Sequence, residues 1–193
     1  MIYPWSKAVV INLPSRKDRL EQFSLGAEKQ EINFTTWPAM AHPLGAVGCL
    51  ASHREVLRAF KDSGDECWAI FEDDCLFVDN FQELFHNFFD LVPVCWDALW
   101  LGGRHLDHPI RMHEHARVIT KVSLSHAYVI SHRAVDALLG LTERGLPGTS
   151  HVDKMWSDAL GPRGLTYAPV PWLCGQSDGW SDIIQSHLSE RWG

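Results

Sequence analysis

The 193-residue sequence predicts one α/β domain over residues 1–193, a three-layer sandwich with a mixed, mainly parallel central sheet. Short apolar runs alternate with segments of helical periodicity through the first half of the chain, as in βαβ units. Segments that alternate apolar and polar residues follow, and they favour antiparallel pairs in the second half. The length suits a single core, and neither an internal repeat nor a low-complexity linker divides it.

The strands predicted in the first half are continuously apolar, which is expected where helices cover both faces of a sheet. They comprise Ala8–Ile11, Cys67–Phe71 and Ala98–Leu101. In the second half, 117–122 and 126–130 alternate like a pair of strands, and the Pro-interrupted segment 167–173 resembles an edge strand.

Apolar residues at positions i, i+3, i+4 and i+7 predict the helices. The first follows Ser15, which with Asp18 resembles a capping box. The second covers Ala46–Lys61, and the third follows Asp79 and Asn80, either of which can cap it. Further helices are predicted after a capping Ser131 and over Val152–Leu160.

Composition and charge limit the functions that the chain can have. The net charge of −7, with scattered Lys and Arg, argues against nucleic acid as a partner, because phosphate affinity requires clustered cations. A nucleotide substrate stays open, since a metal ion can neutralise its diphosphate. Five widely spaced cysteines without a CxxC pair favour a reducing compartment. With no transmembrane segment or signal peptide in the sequence, we expect a cytoplasmic protein, and peripheral association with a membrane-bound acceptor stays open.

The strongest candidate site is the acidic triplet of Glu72, Asp73 and Asp74, which directly follows a predicted buried strand. Ligands of open α/β sheets bind beyond the carboxyl ends of the strands. Adjacent carboxylates repel one another unless a cation offsets their charge, and hard oxygen ligands suit Mn²⁺ or Mg²⁺. On an extended backbone residues 72 and 74 point the same way, so Asp74 is predicted as a metal ligand and Glu72 as a second ligand or a ribose contact. A solvated acidic turn is the alternative.

Other polar residues are weaker candidates when each is considered alone. Arg16 and Arg19 are three residues apart and could grip a phosphate beside Asn12, although a solvated basic face explains the spacing better. His53 lies on the apolar stripe of a predicted helix, so a core residue and a ligand are equally good interpretations. Asp153 either caps its helix or deprotonates an acceptor hydroxyl.

The segment 104–117 is rich in histidine. Its His-x-x-His and His-x-His spacings can bind a transition metal, but they match no closed zinc motif. We therefore expect an exposed loop or an acceptor-binding lid. A metal-dependent hydrolase that uses zinc at His105 and His108 is the alternative.

Several short motifs stand in order along almost the whole chain. They are VINL at 10–13 with Arg16, Asp18 and Arg19, GAVGCLASH at 45–53, IFEDD at 70–74, WD with LG at 96–102, HAYVIS at 126–131, and the closing residues Val152-Asp153, Gln176 and Ser181-Asp182-Ile183. In this combination they resemble glycosyltransferase family 25, which contains bacterial lipooligosaccharide galactosyltransferases and collagen galactosyltransferases. Ala46 stands where that family usually has Glu.

The resemblance implies a GT-A-like (Rossmann-like) fold, a UDP-sugar donor, and a divalent metal, usually Mn²⁺. For the reaction itself we expect an inverting transfer with Asp153 as the general base. The resemblance makes the EDD motif the metal-binding element, with Asp74 and Glu72 as ligands. The residues that it assigns to donor binding are Asn12, Arg16, Arg19, Ser52, His53, Glu72, Asp73, Gln176 and Asp182.

The predicted function is transfer of a hexose, with galactose as the first choice, from a UDP-sugar to a hydroxyl of a glycan acceptor. A lipid-linked glycan of lipopolysaccharide biosynthesis is one such acceptor. Trp172 or Trp180 could stack on a sugar or a base. The alternative is a non-catalytic nucleotide-sugar or glycan-binding module of the same fold, for which Ala46 gives some ground.

Overall fold

A computed structural model describes residues 3–143, 151–181, 186–190 and 192. The helices are α1 (Lys17–Lys29), α2 (Gly45–Ser63), α3 (Phe81–Phe89), α4 (His132–Glu143) and α5 (Val152–Leu160). The strands are β1 (Lys7–Asn12), β2 (Phe34–Pro38), β3 (Cys67–Glu72), β4 (Cys75–Phe77), β5 (Ala98–His105), β6 (Ile110–His113), β7 (Ala116–Val118), β8 (Val122–Ser131), β9 (Thr166–Pro169), β10 (Cys174–Gln176), β11 (Gly179–Ser181) and β12 (Ser186–Leu188). None of the helices in these ranges has the length and apolar character needed to cross a membrane.

Eight strands form the central sheet in the order β2-β1-β3-β8-β5-β9-β7-β6. β1 pairs in parallel with β2 and β3, and β5 pairs in parallel with β9. β8 runs antiparallel between β3 and β5, and β7 runs antiparallel between β9 and β6, so six of the eight strands share one direction. The predicted α/β class with a mixed, mainly parallel sheet is confirmed.

Apolar side chains on the two faces of the sheet build separate cores. One core packs residues of α2, α4 and α5 against one face, and the other packs residues of α1 and α3 against the opposite face. Successive residues of β1 alternate between them, with Val9 and Ile11 in the first core and Ala8 and Val10 in the second. Residues 8–11 of the strand are therefore all apolar, because water reaches neither face of the strand there.

The partners of the second-half strands differ from the prediction. Residues 117–122 and 126–130 do not pair, because β7 lies between β9 and β6 while β8 lies between β3 and β5. The segment 167–173 is not an edge strand either, since β9 is buried between β5 and β7. Pro169 and Pro171 fall at and after the last position of β9, where a missing N–H disturbs the ladder least. Alternation of side chains thus indicates a strand without identifying its neighbour.

The predicted side-chain caps also do not form. α1 begins after Arg16 without a side-chain cap, and Asp18 accepts a hydrogen bond from that arginine at 2.9 Å instead of completing a box with Ser15. Asn80 precedes α3, again without a side-chain cap. The hydroxyl of Ser131 donates to a backbone carbonyl ahead of β5 at 2.9 Å, so it belongs to the sheet rather than to α4. Packing of the apolar stripes sets these helix starts.

Close approach of β5 and the strand β10 depends on Gly102. A Cβ atom there would stand 2.3 Å from the carbonyl oxygen of Cys174 and 2.3 Å from Nε2 of His126. We expect Gly102→Ala to lower the free energy of unfolding by about 2 to 4 kcal/mol, because main chain must move to relieve the clash. Urea denaturation followed by circular dichroism measures this change.

The matched control is Gly140→Ala in α4. A Cβ atom at Gly140 meets nothing within 4 Å, and alanine has the higher helix propensity. This variant should gain about 0.5 to 1 kcal/mol. Equal effects of the two substitutions would contradict the packing assigned to Gly102.

Candidate active site

A cavity of about 400 Å³ lies beyond the carboxyl ends of β1, β2 and β3. Residues 72–74 line it from the end of β3, and residues 39–43, which follow β2, line it together with the first half of α2. Gly48 allows this wall to form, because a Cβ there would stand 2.4 Å from the carbonyl oxygen of Met40. Ser52 fastens the same wall, since its hydroxyl accepts a hydrogen bond from the N–H of Met40 at 2.8 Å. The volume is in the range of small-molecule sites.

Asp73 is held by the residues that follow β1. Its Oδ2 accepts a hydrogen bond from Asn12 Nδ2 at 2.7 Å, and its Oδ1 accepts one from Arg19 Nη1 at 3.0 Å. The same amide of Asn12 donates to the carbonyl of Arg16 at 2.9 Å, which fixes the chain where it enters α1. Burial raises the pKa of Asp73, and the charge of Arg19 opposes that rise.

Asp74 is the carboxylate that the protein satisfies least. Its Oδ2 lies 3.4 Å from Gln176 Nε2 and 3.7 Å from Arg19 Nη1. Its Oδ1 is buried and has no hydrogen-bond partner among the described residues. Burial, and next the charge of Glu72, raise the pKa of Asp74 to about 7. A divalent cation bound to the free oxygen would offset both effects, and oxygen is the ligand atom that Mn²⁺ and Mg²⁺ prefer.

Glu72 is held from the other side by a chain of buried polar groups. Its Oε1 accepts a hydrogen bond from Ser125 Oγ at 2.8 Å and lies 3.2 Å from His53 Nε2. His53 Nδ1 lies 2.9 Å from the hydroxyl of Tyr128, and both rings are fully buried. Burial works to raise the pKa of Glu72, but the hydrogen bond and charge of His53 outweigh it, so that this pKa is lowered. Glu72 is therefore the member of the triplet whose ionised form its surroundings favour, whereas burial raises the pKa of Asp73 and Asp74.

The alternation predicted for the triplet is only partly observed. β3 ends at Glu72, and residues 73 and 74 form the turn that leads into β4. Because the backbone turns there, Asp73 and Asp74 both approach Arg19 instead of pointing to opposite sides. All three carboxylates nevertheless line the cavity.

Cys49 is a member of this site that the sequence did not single out. One potential ligand atom each of Cys49, His53 and Glu72 lies within 4.8 Å of the others. Burial first, and then the charges of Glu72, Asp153 and Asp74, raise the pKa of the Cys49 thiol well above its ordinary range. Its spacing of four residues from His53 on one helix was the signal that could have identified it.

Of the remaining predicted donor-binding residues, two line the cavity, one pairs with a neighbour ahead of α1, and one lies outside the described residues. Arg19 and Gln176 line the cavity with the acidic triplet. Arg16 does not share a helix face with Arg19, as the spacing had suggested, because it precedes α1 and its guanidinium pairs with Asp18. Asp182 lies outside the described residues.

Asp153, the predicted general base, is bound to main chain. Its Oδ2 accepts a hydrogen bond from the N–H of Leu124 at 2.8 Å, and its Oδ1 accepts one from the N–H of Lys154 at 2.7 Å. Leu124 has a φ of 71°, a strained value for a leucine, and it immediately precedes Ser125. Asp153 therefore supports the first residues of β8, which carry Ser125, the residue whose hydroxyl binds Glu72. Its charge reaches the cavity, as its effect on Cys49 shows.

The His-rich segment 104–117 is not a loop as predicted. It contains the end of β5, the exposed strand β6 and the start of β7, which pairs antiparallel with β6 and is partly buried. The His105 ring packs on Trp172 with centroids 4.7 Å apart. No group of potential metal ligands forms from these histidines in the described part of the chain, which removes support from the zinc hydrolase alternative.

The pKa of Asp74 gives this site a characteristic pH dependence. A carboxyl whose folded pKa of about 7 exceeds its ordinary value of 3.8 binds its proton more tightly in the folded state, so ionising it destabilises the fold. Without metal, the unfolding free energy of Asp74→Asn should exceed that of wild type above pH 7, by at most about 4 kcal/mol. The difference should disappear as the pH falls towards 4.

Thermal unfolding in EDTA across this pH range measures the effect. Asp136→Asn is the control, since Asp136 is an exposed carboxylate on α4 that pairs with Lys61. A difference between Asp74→Asn and wild type that is constant with pH would contradict the raised pKa.

Solved structures first define the class of fold. The crystal structure of A197 from STIV matches with a TM-score of 0.52 at 12% identity, over 94% of this chain and 92% of that chain. A glycosyltransferase involved in the glycosylation of the major capsid of PBCV-1 matches with a TM-score of 0.52 at 11% identity, over 84% of this chain and 79% of that chain. At these identities the likeness establishes a shared Rossmann-like fold.

A family model then supports the resemblance drawn from the motifs. Glycosyltransferase family 25, described as an LPS biosynthesis protein family, matches residues 39–105. That segment runs from the end of β2 to the end of β5, so it contains the cavity wall and the whole acidic triplet. The resemblance to family 25 is confirmed over this third of the chain, about 35% of its length. Fold and family match together support a glycosyltransferase.

Proposed function

We propose that the chain transfers a hexose, with galactose as the first choice, from a UDP-sugar to a hydroxyl of a glycan acceptor, with help from Mn²⁺ or Mg²⁺. The observation that carries this proposal is the buried Oδ1 of Asp74, which lacks a hydrogen-bond partner among the described residues and belongs to a residue that lines the cavity together with two further carboxylates. A buried carboxylate oxygen nearly always has a hydrogen-bond or ionic partner, so one without a partner in the protein indicates that a ligand provides it. A metal–diphosphate complex supplies it with the right charge.

Each residue of the site has a role in this proposal. Asp74 and Glu72 hold the ion, which when bound stabilises the charge of the departing diphosphate. Ser125 and His53 fix the Glu72 carboxylate, and Arg19 fixes Asp73 while its charge lies 3.7 Å from Asp74. The site is therefore organised before the donor arrives, which is the condition for electrostatic catalysis.

The acceptor is proposed to approach from the β5 and β9 side of the same sheet edge. β5 and β9 run parallel to each other and in the same direction as β3, so His105 and Trp172 follow strands whose carboxyl ends face the side of the acidic triplet. Only three residues separate Trp172 from Gln176, which contacts Asp74, so an extended chain spans at most about 14 Å between them. Stacked aromatic faces suit a sugar ring of the acceptor.

Truncation of this aromatic pair tests the acceptor side. We expect Trp172→Ala to raise the acceptor KM by about fivefold and to leave the donor KM unchanged, because stacking on one sugar contributes about 1 kcal/mol. Initial rates with each substrate varied in turn separate the two constants. Val94→Ala is the control, since Val94 is fully exposed ahead of β5 at the other end of the sheet. A change in donor KM alone would contradict this placement.

The proposed function is tested by following UDP release. The chain is incubated with a panel of UDP-sugars and other nucleotide sugars, Mn²⁺ and glycan acceptors, and parallel reactions contain EDTA. Release that requires both metal and acceptor supports the proposal. Release that EDTA leaves unchanged would contradict the metal role, and release of a different nucleotide from its sugar would correct the donor.

A non-catalytic nucleotide-sugar-binding module is the second candidate. The observation in its favour is that both carboxylate oxygens of Asp153 accept main-chain hydrogen bonds, which gives this residue a structural role without any base chemistry. Such a module would bind UDP with metal in calorimetry and release no UDP with any acceptor. Turnover with a single acceptor excludes it.

A further inference from the structure

We propose that Cys49, His53 and Glu72 form a second metal site, selective for soft or borderline ions of the Zn²⁺ class, whose occupation blocks the donor site. Potential ligand atoms of these residues lie within 4.8 Å of one another, and all three residues line the cavity. The existence of the site stands on this geometry alone. Its inhibitory consequence rests on the proposed glycosyltransferase function, because the block requires Glu72 to serve the donor–metal complex.

The two ligands on α2 are placed by helix geometry. Cys49 and His53 are four residues apart, so both side chains leave the same face of the helix, one turn from each other. The same spacing presents two ligands to one ion in helical zinc motifs. β3 brings Glu72 to that face, and Glu72 completes a set of one sulfur, one nitrogen and one oxygen.

The contact between His53 and Glu72 has the dimensions of a ligand pair. Nε2 of His53 lies 3.2 Å from Oε1 of Glu72. Two ligand atoms bound tetrahedrally to one zinc at about 2.0–2.1 Å stand about 3.4 Å apart. An ion can therefore replace the hydrogen bond between these atoms with little movement of either side chain.

Tyr128 prepares His53 for this role. Its hydroxyl lies 2.9 Å from Nδ1, the nitrogen opposite Nε2. When an ion binds, Nε2 releases to solvent the proton that it donated to Glu72, Nδ1 keeps its proton and donates it to the Tyr128 hydroxyl, and the lone pair of Nε2 faces the ion. A metal-binding histidine usually donates its other ring N–H to a fixed partner in this way. On metal binding the thiol proton of Cys49 passes to solvent, and the sulfur ligates as thiolate.

The two metal sites differ in chemistry and share one residue. A thiolate with an imidazole favours Zn²⁺ or Co²⁺, whereas the oxygens of Asp74 favour Mn²⁺ or Mg²⁺. Glu72 cannot serve both in full, since the softer ion takes its Oε1 and places positive charge beside the donor's metal. Zn²⁺ is therefore expected to antagonise Mn²⁺ and the nucleotide sugar together.

The site is tested directly by titrating the full chain with Co²⁺ without donor or acceptor. A thiolate-to-cobalt charge-transfer band should appear in the near ultraviolet, saturate at one ion per chain, and vanish when Zn²⁺ is added. Cys49→Ser and Cys49→Ala should both lack the band. Cys95→Ser, which changes an exposed cysteine, should keep it, and Asp74→Asn should also keep it. A band that survives in both Cys49 variants, or that is lost in Cys95→Ser, overturns the site.

The inhibitory consequence is measured separately as UDP release at a fixed Mn²⁺ concentration. Added Zn²⁺ should inhibit wild type, and the Zn²⁺ concentration for half inhibition should rise at least tenfold in Cys49→Ser relative to that variant's own uninhibited rate. Unchanged Zn²⁺ sensitivity in Cys49→Ser overturns the inhibitory role. Absence of any UDP release refutes the proposed transfer reaction, while the cobalt titration still decides on the metal site.

Discussion

Replacement of Asp74 by Asn should reduce metal-dependent UDP release by about a thousandfold or more. The substitution keeps the shape of the side chain and removes the negative charge from the triplet carboxylate that has a buried oxygen without a partner among the described residues. Loss of the ion forfeits several kcal/mol of stabilisation of the departing diphosphate, and about 4 kcal/mol corresponds to a factor of a thousand. UDP release with saturating donor and Mn²⁺ measures the effect.

Calorimetry of Mn²⁺ with UDP separates the loss of metal binding from the loss of turnover. Asp74→Asn should lose the metal dependence of UDP binding, while Asp136→Asn, which changes an exposed carboxylate on α4, should bind and turn over as wild type does. If Asp74→Asn retains metal-dependent binding and turnover, Asp74 is not the metal ligand. Glu72 is then the remaining candidate, and its pairing with His53 makes it the weaker one.

Asp74 is expected both to lower the free energy of unfolding and to be required for metal-dependent UDP release. Burial beside Glu72 raises the pKa of Asp74 to about 7, so its ionised form costs stability until a cation binds. Asp74→Asn should therefore be more stable than wild type without metal and inactive with it. Opposed changes in stability and activity are the signature of a functional site, whereas a solvated acidic turn would show neither.

Much of the fold could be predicted because its central strands are buried on both faces. The runs at Ala8–Ile11 and Cys67–Phe71 belong to two cores at once, so no polar residue interrupts them. The neighbour of each strand could not be predicted, since β8 and β7 alternate in the same way yet lie in different parts of the sheet. Strand pairing depends on contacts between segments that are far apart in the chain, and local periodicity does not contain them.

The candidate site was predictable where neighbours in sequence are also neighbours in space. The acidic triplet follows one strand, so its place at the sheet edge could be inferred from residues 67–74 alone. Ser125 and Tyr128 could not be found in this way, because β8 reaches Glu72 and His53 only through antiparallel pairing with β3. The number and spacing of the cysteines alone do not identify Cys49. Its position one helical turn from His53 is the feature that places it in the site.

Two variants of Asp153 distinguish a general base from a residue that only supports the backbone at Leu124. In Asp153→Asn the side-chain oxygen can still accept the hydrogen bond from the N–H of Leu124, but the amide cannot take a proton. In Asp153→Ala both functions are lost, and the strained backbone at Leu124 loses its partner. If Asp153 is the general base, both variants should lower kcat by about 10² to 10⁴.

The two variants should differ in stability and in donor binding. The free energy of unfolding of Asp153→Asn should lie within about 0.5 kcal/mol of the wild-type value, and this variant should bind the metal–UDP complex normally. Asp153→Ala should lose about 1 to 3 kcal/mol of unfolding free energy, because the part-buried N–H of Leu124 is left without its acceptor. Urea denaturation, UDP calorimetry and initial rates on the same preparations give the three quantities. Normal turnover by Asp153→Asn together with impaired stability of Asp153→Ala would show that Asp153 supports Leu124 and Ser125 only. The proton of the acceptor hydroxyl would then pass to a group other than Asp153, and the carboxylates that line the cavity are the first candidates.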